Sequence, residues 1–70
     1  MTTYTIVETD VYGDILEDDG HRFYLNHSCL CSMSFGSEDM AWTTESYLEA
    51  EGMSSRLVGS KYRHHDIIEL

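Results

Sequence analysis

The chain has 70 residues, two cysteines and a formal net charge of -9. A chain of this length is expected to form one domain, residues 1–70, around a small core, and two cysteines are too few for a disulfide framework. Thirteen acidic against four basic residues argue against direct binding of nucleic acid or an anionic membrane, and favour a protein partner with a basic surface. Residues 1–51 carry eleven acids and one base, a net of -10, whereas residues 52–70 carry two acids and three bases, a net of +1.

The first third of the chain predicts strands joined by a tight turn. Residues 3–9, TYTIVET, are rich in β-branched and aromatic side chains and predict a strand. Residues 11–12 are expected to continue it past a bend, because Gly13 interrupts regular structure. The Asp-Gly pair at residues 19–20 predicts a hairpin turn, and residues 21–25 predict its return strand.

The central segment predicts the helix. After a connector over residues 26–36, residues 37–52 are predicted to form an amphipathic helix with Ser37 as its N-cap and Gly52 as its C-cap. The face expected to cover the sheet holds residues at helical spacing: Met40, Thr44, Tyr47 and Leu48, with Ala41 at its edge. Residues 53–58 fit either a short strand or a loop.

The C-terminal residues 61–70 predict a final strand. The order of strands, helix and strand predicts an α+β fold, with a small antiparallel sheet of about three to five strands and one amphipathic helix packed on one face. The last strand is expected to be an edge that can pair with its own copy, so a homodimer is compatible with the pattern.

An acidic and aromatic stripe is the leading candidate for partner binding. Four residues share the predicted outer face of the helix: Glu38, Trp42, Glu45 and Glu49. Carboxylates on a rigid rod can stand in for phosphates because arginine binds both bidentately, and an exposed tryptophan is a frequent interface anchor. The acids of the hairpin region extend this surface: Asp14, Glu17, Asp18 and Asp19. The alternatives are a plain solvated face, a salt-adapted protein, or a Trp42 that packs beneath the connector.

A second cluster offers metal ligands. Cys29 and Cys31, with His64 or His65, supply the thiolate and imidazole groups that zinc and copper prefer. The C-x-C spacing is not the usual zinc-knuckle spacing, and free cysteines commonly behave as small buried apolar residues. We therefore expect no cofactor and keep the metal site as the alternative. No oxyanion hole accompanies the cysteine and histidine residues, so no enzymatic activity is expected.

In size, acidity and α+β pattern the chain resembles the small phage-encoded inhibitors of bacterial defence, the anti-CRISPR proteins in particular. The resemblance covers the format of all 70 residues and no motif, so no functional residue carries over. It implies a stoichiometric inhibitor without catalysis, acting in a bacterial cytoplasm on a nucleic-acid-binding effector. Such an inhibitor is either a nucleic-acid mimic or a steric block that binds through exposed aromatics. The lack of a signal-peptide pattern or a membrane-spanning run also favours the cytoplasm.

Overall fold

The structure, a computed structural model, describes residues 1–27 and 33–70. In chain order its elements are β1 Tyr4–Glu8, β2 Glu17–Asp18, β3 His21–Arg22, β4 Tyr24–His27, β5 Met33–Gly36, a 3-10 helix Glu38–Met40, the helix α1 Tyr47–Val58, and β6 His65–Glu69. Four strands form an antiparallel sheet in the order β5-β4-β1-β6, and β2 and β3 form a separate ribbon. The helix packs against β1 and β6. The predicted α+β fold is confirmed.

Strand β1 lies at the centre of the sheet and matches the strand predicted over residues 3–9. Ile6, which pairs with Ile67 of β6, belongs to the core cluster beneath α1. Because side chains alternate along a strand, Thr5 and Val7 point to the opposite face. All three of these β1 side chains are fully buried. Burial on both faces accounts for the β-branched run in the sequence.

The ribbon of β2 and β3 is the predicted hairpin. Its two turn residues, Asp19 and Gly20, have φ values of 53° and 78°. Positive φ at both central residues is the signature of the two-residue turn whose twist matches that of the strands, and Asp-Gly favours it. The predicted return strand is divided by Phe23, which separates β3 from β4.

Residues 41–44 bridge β1 and β4. The Trp42 N–H donates to the Leu25 carbonyl of β4 at 2.7 Å. Thr44 exchanges two backbone hydrogen bonds with Tyr4 of β1, at 2.7 and 3.0 Å. The segment is therefore extended and is held by both strands.

The predicted position of the helix, residues 37–52, is wrong. The helix α1 follows an N-cap at Ser46, whose Oγ accepts a hydrogen bond from the Glu49 N–H at 3.3 Å. Of the predicted first turns, residues 38–40 are helical, as a single 3-10 turn. The backbone groups of Trp42 and Thr44 bond to two strands, so those groups are not available for the i to i-4 bonds of a helix.

The predicted apolar face of the helix is also wrong. The buried residues of α1 are Ala50, Met53 and Leu57. The residues predicted to face the core are instead exposed or half-buried: Met40, Ala41, Thr44, Tyr47 and Leu48. The segment 53–58, which fitted a strand or a loop, is the second half of α1, and Gly59 rather than Gly52 is the C-cap.

The core lies where α1 covers the sheet. Its buried cluster consists of Ile6, Leu25, Met53 and Leu57. A ring of partly buried side chains packs against this cluster: Met33, Phe35, Trp42, Tyr62 and Ile67. The Phe35 and Tyr62 rings meet edge to face with centroids 5.5 Å apart. Trp42 is thus part of the packing that holds the helix to the sheet.

Candidate interaction surface

The residues predicted to contact a partner do not form one helical stripe. They lie on four pieces of chain: Glu38 in the 3-10 helix, Trp42 in the bridging segment, Glu45 before α1, and Glu49 in its first turn. The three carboxylates are exposed, but Trp42 is half-buried against the core. The expectation that Trp42 faces solvent opposite the core is therefore wrong.

The structure brings Glu38 beside the hairpin instead. Asn26 supports this arrangement: in the amide orientation that satisfies its hydrogen bonds, its nitrogen donates to the carbonyls of Ser37 at 3.2 Å and Met40 at 3.0 Å. A depression of about 210 Å³ separates Glu38 from the hairpin residues Gly20 to Arg22.

A second depression, of about 440 Å³, is lined by the hairpin carboxylates Asp18 and Asp19 together with Phe23 and Phe35. Four exposed carboxylates of the hairpin and the 3-10 helix make up what we call the acidic hairpin surface: Glu17, Asp18, Asp19 and Glu38. Asp14, also exposed, ends the neighbouring loop.

Few of the carboxylates have a basic neighbour. Over residues 1–27 and 33–70 the structure shows one ion pair, in which Arg22 Nε lies 3.6 Å from Glu17 Oε1. The two residues are cross-strand partners in the hairpin, and their side chains are 40% and 50% exposed. An exposed pair of this kind contributes on the order of 0.2–1 kcal/mol. Arg22 is the one base in residues 1–51, so the acidic hairpin surface keeps a strong negative potential.

A separate groove joins Trp42 to α1. It has a volume of about 430 Å³ and is lined by five residues: Trp42, Glu49, Gly52, Met53 and Arg56. Gly52 opens this groove, because a Cβ built there meets nothing within 4 Å. The groove unites two residues of the predicted stripe, Trp42 and Glu49, but it also contains a base, Arg56.

The loop between β1 and β2 holds exposed residues that no sequence pattern marked as a site. Val11 and Tyr12 are 67% and 87% exposed, rather than a continuation of the strand. Asp10 shapes the loop, since its Oδ1 accepts from the N–H groups of Tyr12 at 2.8 Å and Asp14 at 3.0 Å. Two backbone bonds, Asp10 N–H to the Asp14 carbonyl and Gly13 N–H to the Asp10 carbonyl, complete it at 2.9 and 3.2 Å.

We call residues 10–14 the Tyr12 loop. Its sequence signal is an aspartate followed by Gly13, the pattern of a side chain that caps its own turn. The hydrophobicity of residues 11–12 concealed this signal, because β-branched and aromatic residues usually indicate a strand.

The metal-site hypothesis falls largely outside the described residues. Cys29 and Cys31 lie in the range 28–32, and across the residues that are described no group of three possible ligands is found. His64 is half-buried next to β6, where its carbonyl accepts from the Thr9 N–H at 3.0 Å.

His65 has a structural role. Its Nδ1 lies 2.8 Å from the Tyr62 carbonyl and its Nε2 lies 2.6 Å from Ser54 Oγ. A carbonyl can only accept, so Nδ1 carries the proton, and in the neutral ring Nε2 accepts from the Ser54 hydroxyl. This pair of bonds ties α1 to the start of β6.

Strand β6 is an edge of the sheet, as predicted. The hydrogen bonds from Leu70 to Thr3 and from Thr9 to His64 show that its even-numbered residues bond to β1. Residues 65, 67 and 69 therefore direct their backbone groups outward. The central outward N–H, that of Ile67, donates to Asp66 Oδ1 at 2.9 Å. This contact reduces the capacity of the edge to pair with a copy of itself.

No helix within residues 1–27 and 33–70 combines the length and the hydrophobicity that a bilayer span requires. No family model matches the chain, and neither a curated protein nor a solved structure matches it significantly.

Proposed function

We propose that this protein is a non-enzymatic interaction protein that binds the basic, nucleic-acid-handling surface of a target protein and thereby inhibits it. The observation that carries this proposal is the acidic hairpin surface. Its four carboxylates are exposed, and three of them, Asp18, Asp19 and Glu38, line two depressions. Arg22 is the one base near them that forms an ion pair in the described chain. A rigid cluster of carboxylates attracts the arginines and lysines that normally hold phosphates.

The proposed mode of action is competition with nucleic acid. Long-range attraction would steer the basic target towards the hairpin, and the bound protein would cover the surface needed for phosphate contacts. The resemblance in size and acidity to phage-encoded inhibitors supports an inhibitory role in the cytoplasm of a bacterial host cell. No catalytic step is required, because occupation of the site is sufficient.

A capture experiment tests the proposal. Proteins of a nuclease-treated bacterial lysate are first enriched on heparin, which selects basic surfaces, and then passed over the immobilised protein. We expect a nucleic-acid-binding protein to be retained, to elute at moderate salt, and to be displaced by added DNA or RNA. Retention that neither nucleic acid nor salt affects would overturn mimicry, and no retained protein would overturn the proposal as a whole.

A further inference from the structure

The Tyr12 loop, which precedes the β2–β3 hairpin in the chain, presents an exposed aromatic side chain. Tyr12 is 87% exposed and its neighbour Val11 is 67% exposed. Neither side chain belongs to the buried core, and adjacent exposed apolar side chains are a feature of interaction sites.

The loop is also held in one shape without help from these two side chains. Four hydrogen bonds within residues 10–14 involve Asp10, and a fifth joins the Thr9 hydroxyl to the Asp10 carbonyl. The Thr9–Ile15 bridge closes the base of the loop. Gly13, with a φ of 87°, supplies the backbone conformation that other residues rarely adopt. A loop that is ordered before binding loses little entropy when it docks, and tyrosine adds contact area at a low entropic cost.

We infer that Tyr12 and Val11 are the apolar anchor of the target complex and insert into an apolar depression rimmed by lysine or arginine side chains. The charge around the loop selects this partner: residues 8–19 contain six acids and no base. A second copy of this chain would bring like charges together, so it is not the occupant. The inference rests on the proposed function, because it names the contact that holds a complex which the carboxylates attract.

Site-specific cross-linking tests the inference directly. Three variants each carry one photoreactive residue: Tyr12→p-benzoylphenylalanine, Asp18→p-benzoylphenylalanine on the hairpin, and Leu48→p-benzoylphenylalanine on the helix. Leu48 is the matched control because it is apolar and 79% exposed. Each variant is irradiated with the heparin-binding fraction of the lysate.

A cross-link from position 12 to a basic protein, without one from position 48, is the expected result. A cross-link from position 18 without one from position 12 would overturn the inference that Tyr12 is the anchor and would leave the proposed function intact. A cross-link from position 48 alone, or from none of the three positions, would overturn both.

Affinity measurements with the cross-linked protein, once purified, then separate anchoring from charge. Tyr12→Ser should weaken binding by about 10- to 100-fold, as loss of an interface anchor does, while the salt dependence of binding and the unfolding midpoint stay unchanged. Asp10→Asn keeps the Oδ1 acceptor that orders the Tyr12 loop. This variant should therefore bind the target more tightly than Asp10→Ala, although both variants remove one charge. Equal affinity of the two Asp10 variants, or no effect of Tyr12→Ser, would contradict the inference.

Discussion

The backbone of Trp42 donates to the Leu25 carbonyl across 2.7 Å, and its side chain packs on the core cluster that contains Leu25. The chain therefore uses its one tryptophan to fix the bridging segment between two strands. Trp42 also lines the groove beside α1, but its principal role is in the fold.

Replacement of Trp42 should consequently reduce stability. Trp42→Ala is expected to lower the free energy of unfolding by about 2 kcal/mol or more, somewhat below the range for a fully buried aromatic because Trp42 is half-buried. Urea unfolding followed by far-ultraviolet circular dichroism measures this. Trp42→Phe, which keeps much of the apolar volume, should lower the free energy of unfolding by less. Equal stability of Trp42→Ala and the unmodified protein would return Trp42 to the list of candidate binding residues.

The bridging segment, residues 41–44, illustrates which parts of the fold could be predicted from the sequence and which could not. Strand β1 and the Asp19-Gly20 turn depend on local signals, and both were predicted from them. Ser37 and the helically spaced residues after it formed an equally local signal, in this case for a helix. Hydrogen bonds to β1 and β4 instead determine the conformation of residues 41–44. A contact between residues distant in sequence overrode the local pattern there.

The true helix did carry a signal. Ser46 and Glu49 have the S-x-x-E spacing of a capping box, and Ala50, Met53 and Leu57 follow at helical spacing. Gly52 obscured this pattern because a glycine that follows a helical pattern usually marks a helix end. The Tyr12 loop was missed for the opposite reason, since its apolar residues indicated a strand where the Asp10 side chain forms a turn.

Gly52 offers a stabilising substitution. Gly52→Ala should raise the free energy of unfolding by about 0.5–1 kcal/mol, because alanine is the better helix former and its Cβ meets no atom within 4 Å. Denaturant unfolding of the two proteins measures the change. Gly20→Ala is the matched control. A Cβ at position 20 also meets no atom within 4 Å, but the φ of 78° disfavours alanine, so this substitution should lower the free energy of unfolding. A less stable Gly52→Ala would show that the groove beside Trp42 does not tolerate a methyl group.

The bond between Ser54 and His65 should contribute measurably to stability. Ser54→Ala leaves His65 Nε2 without the hydroxyl that lies 2.6 Å away. We expect this to lower the free energy of unfolding by about 1 kcal/mol. Ser55→Ala, on the exposed side of the same turn, should be neutral or slightly stabilising. Nitrogen chemical shifts of the His65 ring provide an independent test, because the proton should reside on Nδ1. A ring protonated on Nε2 alone would contradict the assigned bonds.

Asp66 should keep the β6 edge from self-pairing. Asp66→Ala frees the outward Ile67 N–H, whereas Asp66→Asn retains an oxygen that can accept it. Both variants remove one negative charge, so their comparison isolates the hydrogen bond. Sedimentation equilibrium over a range of concentrations should show more dimer for Asp66→Ala than for Asp66→Asn. Equal self-association of the two variants would mean that this contact does not protect the edge.

The most direct test of the central claim compares two double variants of equal charge in the capture assay. Asp18→Asn with Asp19→Asn neutralises the acidic hairpin surface and keeps a turn sequence, Asn-Gly, that favours the same hairpin. Glu51→Gln with Glu69→Gln removes the same two charges elsewhere, so both proteins change from -9 to -7. We predict about tenfold weaker capture and a reduced salt dependence for the hairpin variant, with the control close to the unmodified protein. Equal capture of the two variants would contradict a specific role for the acidic hairpin surface.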